Sequence, residues 1–126
     1  MMNSISKGLR VLIVDSNQDS QEIMTYFLES LNCQVLSVYS AIAALSAIKK
    51  FKPDILLSEL LLPQRDGYWL MQSLRNRGCC IPAIAVTVAA MSHEREHAFA
   101  AGFNDHIAKP FMLNDLSAAV VQQCGD

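Results

Sequence analysis

Residues 53–63 read PDILLSELLLP, and the run DILLSE (54–59) at the head of this stretch is a strand pattern. It is short, almost continuously apolar and entered from a proline, as suits a strand covered on both faces. Working outward, four more runs share its length and character: Arg10–Val14, Gln34–Val38, residues 82–87 and the short Asp105–Ala108. Helical patterns separate them. In the first, Ile23, Met24, Phe27, Leu28 and Leu31 recur at helical spacing from a polar start at Asn17 and Asp19. A second begins after Ser40 and carries Leu45 and Ile48, and a third opens at Asp66-Gly67 with Leu70 and Leu74 one turn apart. Ser92 is placed to cap a fourth, which Gly102 ends in a left-handed conformation, and the last carries Leu113, Leu116 and Val120.

Five strand–helix units with short connections imply a parallel sheet wrapped by helices on both faces, with right-handed crossovers. The expected architecture is a doubly wound α/β sandwich. The domain is expected to occupy residues 9–124 after an N-terminal extension of residues 1–8.

Bulk properties narrow the function. The chain has 126 residues, 52% of them hydrophobic and 17% charged, enough for one closed core. A net charge of −2 supplies no general attraction to nucleic acid or an anionic membrane. The one basic cluster, Lys49, Lys50 and Lys52, reads as the last turn of a helix, where cations complement the dipole. No apolar stretch reaches the length of a membrane span, and residues 1–10 lack the apolar core of a secretory signal. Cys33, Cys79, Cys80 and Cys124 form neither a disulfide framework nor a CxxC metal motif, so a reducing cytoplasm is the expected location.

In doubly wound sheets ligands bind beyond the carboxyl ends of the strands. The residues at those ends are Asp15 and Ser16, Glu59, Thr87 and Lys109. Two carboxylates, two hydroxyls and a lysine on one edge suit an oxyanion held by a cation and hydroxyl donors.

Four motifs in order resemble the receiver domains of two-component response regulators: VLIVD (11–15), PDILLSELLLP (53–63) followed by Asp66-Gly67, IAVT (84–87) and AGFNDHIAKP (101–110). Together they span essentially the whole chain, and the resemblance implies a flavodoxin-like, doubly wound α/β sandwich with strand order 2-1-3-4-5. The resemblance implies a module that takes a phosphoryl group from a histidine kinase on an aspartate ending the third strand. An acidic pair after the first strand would help to hold Mg²⁺. A hydroxyl and a lysine would contact the phosphoryl oxygens, and an aromatic residue of the fifth strand would turn inward. The signal would then pass through the fourth helix, fifth strand and fifth helix to a protein partner, which could be a histidine kinase, an output domain or another regulator. By the same resemblance the Lys109-Pro110 bond is expected to be cis.

Mapped onto this chain, Asp15, Thr87 and Lys109 keep the family's residue types, and three positions depart. Ser16 replaces the second acid, Glu59 replaces the phosphoacceptor aspartate, and His106 takes the aromatic switch position. Loss of a carboxylate at 16 weakens or abolishes a Mg²⁺ site built on Asp15 and Glu59, since hard cations favour carboxylate oxygen. No cofactor is therefore required. The extra methylene at Glu59 disturbs in-line transfer, where a misplacement of about 1 Å can cost on the order of 10²-fold in rate. The expectation is a pseudo-receiver, not an enzyme, that signals by protein contact. Glu59 either pairs with Lys109 and partly imitates the phosphorylated state or merely fills the vacated pocket. The alternative is a competent receiver phosphorylated elsewhere, with Asp15 the best substitute acceptor; Ser58 points to the opposite face by strand alternation. A third reading comes from HEREH (93–97), which matches the zinc-hydrolase string HExxH but lies in a short polar helix with no third ligand in view. Tyr68 and Trp69, opening the third helix, read as packing residues.

Overall fold

The structure, a computed structural model, describes residues 4–124; of the expected extension 1–8, residues 1–3 lie outside that range. Strands β1 (Arg10–Val14), β2 (Gln34–Val38), β3 (Ile55–Ser58), β4 (Ala83–Thr87) and β5 (Asp105–Ala108) alternate with five helices. These are α1 (Gln18–Ser30), α2 (Ala41–Phe51), α3 (Gly67–Asn76), α4 (Ser92–Ala101) and α5 (Leu113–Cys124). The strands form one parallel sheet in the order β2-β1-β3-β4-β5, the flavodoxin-like arrangement expected from the sequence. β1 lies between β2 and β3, with Val11 paired to both Val35 and Ile55.

Strand alternation divides the core between two faces. Leu12, Val14 and Leu56 face Leu70, Met71 and Leu74 of α3 and the alanines of α2 and α4. Val11, Ile13 and Leu57 face Met24 and Leu28 of α1 with Leu116 and Val120 of α5. Each such aliphatic side chain contributes about 1.5–3 kcal/mol by leaving water, so the central strands are the fixed frame for anything at their ends. Ile23, part of the apolar pattern of α1, turns outward and is 55% exposed, because Met24 and Leu28 already fill the seam against the sheet.

Capping sets the helix starts. The Asn17 side chain accepts from the Ser20 N–H, Ser40 from Ala43 and Asp66 from Trp69. α4 departs from expectation, since Ser92 is its first helical residue and Met91 the cap. The Glu94 carboxylate accepts from the Met91 N–H at 3.0 Å, which closes the first turn one residue earlier. Lys49 and Lys50 occupy the last turn of α2, and Lys52 ends it in a left-handed conformation (φ 54°). Gly102 ends α4 at φ 117°. The Lys109-Pro110 bond is cis.

Candidate functional site

The carboxyl edge of the sheet gathers residues far apart in the chain. Asp15 follows β1, Glu59 follows β3, Thr87 ends β4 and Lys109 follows β5. Asp15, Glu59 and Thr87 are all buried. Lys109 reaches over them. Its Nζ lies 2.7 Å from Asp15 Oδ2 and 3.1 Å from Glu59 Oε2, with 13% of its side chain exposed.

Every oxygen of the two carboxylates has a donor. Asp15 Oδ1 accepts from the Asn17 N–H at 2.9 Å, while Oδ2 takes Lys109. Glu59 Oε1 accepts from the Leu60 N–H at 2.7 Å and the Leu61 N–H at 3.1 Å, while Oε2 takes Lys109. One carboxylate thus bridges the lysine and the backbone of its own loop. Burial alone would lower the Lys109 pKa, but the hydrogen bonds and charges of Asp15 and Glu59 outweigh it and hold the ammonium above its ordinary value. With two carboxylates against one ammonium, the cluster carries a formal charge of −1.

Thr87 and Ser16 stand apart from this cluster. Thr87 Oγ1 accepts from the Ala89 N–H at 2.9 Å, and Ser16 is exposed on the rim. His106 is buried and points inward, its Nε2 donating to Ala89 O at 3.0 Å. The His106 carbonyl in turn accepts from Arg95 Nη1 of α4 at 3.2 Å. Thr87, Ala89, His106 and Arg95 therefore form one hydrogen-bonded line from the edge of β4 to α4. Ser58 is buried and donates from Oγ to Glu59 O at 2.9 Å, away from the carboxylate cluster.

Sequence reading missed several participants. Gln21, buried in α1, donates from Nε2 to Asp15 O at 2.7 Å and Val38 O at 2.6 Å, tying the site loop to β2. A glutamine on the apolar face of a helix is the signal that could have flagged it. The Leu60 and Leu61 amides carry no side-chain signature at all. HEREH lies on α4, where the His97 ring stacks on Tyr68 with centroids 3.8 Å apart, and among the described residues no three His, Cys, Asp or Glu side chains are grouped to hold a metal.

The response regulator receiver domain model matches residues 11–121. The chain belongs to this family. A 14.6 kDa protein of Leptolyngbya boryana is 33% identical to this receiver over 116 residues, covering 90% of this chain and 88% of that protein. A response regulator from Chloroflexus aurantiacus superposes with a TM-score of 0.88 at 31% identity, over 94% of this chain and 98% of the other. The receiver domain of the sensor histidine kinase PA1611 from Pseudomonas aeruginosa superposes with a TM-score of 0.85, also at 31% identity, over 93% and 98%; that structure has a magnesium ion coordinated in its active-site cleft. Other curated relatives, among them sensor histidine kinases and a yeast transcription factor, are larger, and the receiver spans 8% to 20% of their length.

The donor set of this receiver does not fit a Mg²⁺ site as it stands. Ser16 offers a neutral, exposed hydroxyl, and Lys109 holds the position between the two carboxylates. A hard cation that needs several oxygen ligands would first have to displace that ammonium.

Proposed function

We propose that residues 9–124 form a degenerate receiver that transmits signals in a two-component or phosphorelay pathway by protein–protein contact, without conventional aspartyl phosphorylation. One observation carries this reading: the carboxylate at the acceptor position is already bound to Lys109 and to the Leu60 and Leu61 amides. Glu59 supplies a negative charge where the phosphoryl charge of a competent relative would stand. The imitation is partial, since a phosphoryl group brings roughly −1.5 to −2 charge and three acceptor oxygens, and Thr87 stays turned to Ala89. Mg²⁺ would bind weakly, because entry requires moving Lys109. The output surface is α4, β5 and α5, facing a histidine kinase, an output domain or another regulator in the cytoplasm; His106 is buried behind it, and the exposed Arg95 of α4 reaches the His106 carbonyl.

The test is rapid intact-mass measurement after incubation with Mg²⁺ and acetyl phosphate, with a Ser16→Asp, Glu59→Asp double variant alongside. The double variant gains a phosphoryl mass and the wild type does not. A wild-type adduct on Asp15 or elsewhere overturns the reading.

A further inference from the structure

α4 is lightly anchored to the sandwich. Only Ala98 and Ala101 among its ten residues are buried, so its apolar hold amounts to two methyl groups. That is little against the conformational entropy of ordering the segment. Its position therefore depends on a few specific contacts. Arg95 Nη1 reaches the His106 carbonyl of β5. The other anchor comes from α3, where the Tyr68 ring stacks on His97 at 3.8 Å and 10°, and its hydroxyl points at Glu94 O, 3.5 Å away.

Tyr68 sits one residue after Gly67, where the backbone of α3 is pressed against the site loop. A Cβ at Gly67 would lie 2.5 Å from Glu59 O and 2.9 Å from Leu60 Cα, and the Gly67 N–H donates to Leu60 O at 2.9 Å. The first turn of α3 is thus in direct backbone contact with residues 59 and 60. Those residues are themselves held by the Glu59 carboxylate through the Leu60 and Leu61 amides. The other route to α4 runs through Thr87, Ala89 and His106, and it begins at a hydroxyl turned away from Glu59.

We infer that Tyr68 is a positioning residue that couples the Glu59 loop to α4, through contact of Gly67 with Glu59 and Leu60 on one side and the stack on His97 on the other. The state of the pocket reaches α4 by way of α3 in this chain. Burial raises the Tyr68 phenol pKa first, with the negative charges of Glu94, Asp66 and Glu59 adding to it. The inference extends the proposed reading by naming how Glu59 acts on the output surface. It needs no partner and no phosphodonor to be tested.

The experiment is a double-mutant cycle read by amide chemical shifts of the whole chain. Glu59→Gln perturbs the amides of residues 60–62 and of α4. Combined with His97→Ala, which removes the stack and leaves the buried core untouched, the α4 perturbation shrinks at least about threefold, since the coupled contact is gone, while that at 60–62 persists. Tyr68→Phe keeps the stack and preserves the α4 response; Tyr68→Ala abolishes it. An α4 response to Glu59→Gln that survives undiminished in the His97→Ala background overturns the inference, as does an α4 that ignores Glu59→Gln in the parent chain. Phosphorylation of the wild type would defeat the proposed function and leave this cycle's outcome unaffected.

Discussion

Glu59 reaches Lys109 across the carboxyl edge of the sheet, Oε2 to Nζ at 3.1 Å, and its other oxygen binds the Leu60 and Leu61 amides. The longer acid therefore holds its own loop and the lysine at once. Thr87, the remaining contact expected of a phosphorylated receiver, keeps its hydroxyl on the Ala89 N–H.

Lys109→Met should destabilise the receiver by about 3 kcal/mol, at the low end of the cost of orphaning buried ionic partners, because the ammonium is slightly exposed. Asp15 and Glu59 would be left as adjacent buried carboxylates. Urea denaturation reads this as a lower midpoint with an unchanged slope. An unchanged midpoint would mean that the pair adds nothing net.

The same lysine sets an alkaline dependence. Its folded pKa lies above the ordinary 10.5, so its stabilisation is complete below that value and is lost as pH rises through the folded pKa. Wild type and Lys109→Met should therefore keep a constant stability difference from neutrality to the ordinary lysine value, and converge above it. Parallel thermal melts across that range measure the convergence.

Mg²⁺ should barely raise the melting temperature of the wild type at millimolar concentration. The Ser16→Asp, Glu59→Asp variant restores an acid at 16 and shortens the competing side chain, so the same Mg²⁺ should stabilise it in proportion to binding. Equal stabilisation of both proteins would contradict the assignment of Lys109 as the resident cation.

Arg75 should prove a structural keystone. Its guanidinium donates to Gly102 O from Nε at 3.1 Å and Nη2 at 2.8 Å, to Cys79 O at 2.9 Å and to Asn104 Oδ1 at 3.2 Å. It thus joins the end of α3 to the turn between α4 and β5. Arg75→Ala should cost about 2–3 kcal/mol by breaking this network. Arg75→Lys should recover little, because a single ammonium cannot reproduce the fork; full recovery in a denaturation curve would refute that explanation.

Gly67→Ala should destabilise by about 1–3 kcal/mol, the usual cost of overpacking, because its Cβ would meet backbone rather than a movable side chain. Chemical denaturation checks the size. A neutral effect would show that α3 can slide away from Glu59.

Much of this protein was legible in local pattern. Apolar runs of strand length, separated by helical spacing and by caps at Asn17, Ser40 and Asp66, specify alternating elements. Burying both faces of such strands leaves few arrangements, which is why a parallel sheet could be anticipated, while its strand order came from the resemblance to receiver domains. It follows that Asp15, Glu59, Thr87 and Lys109 share one edge, since each ends or follows a strand. Short-range rules failed where competing contacts differ by little, as at the start of α4, where Glu94 rather than Ser92 closes the first turn, and at Ile23, turned out of the seam. Tertiary structure alone decided what the edge residues do. Whether Glu59 binds Lys109, Thr87 or its own loop depends on distances among segments tens of residues apart. The same holds for Tyr68 on His97 and for the fork of Arg75: their partners are set by how α3, α4 and β5 pack, and no spacing in the chain announces them.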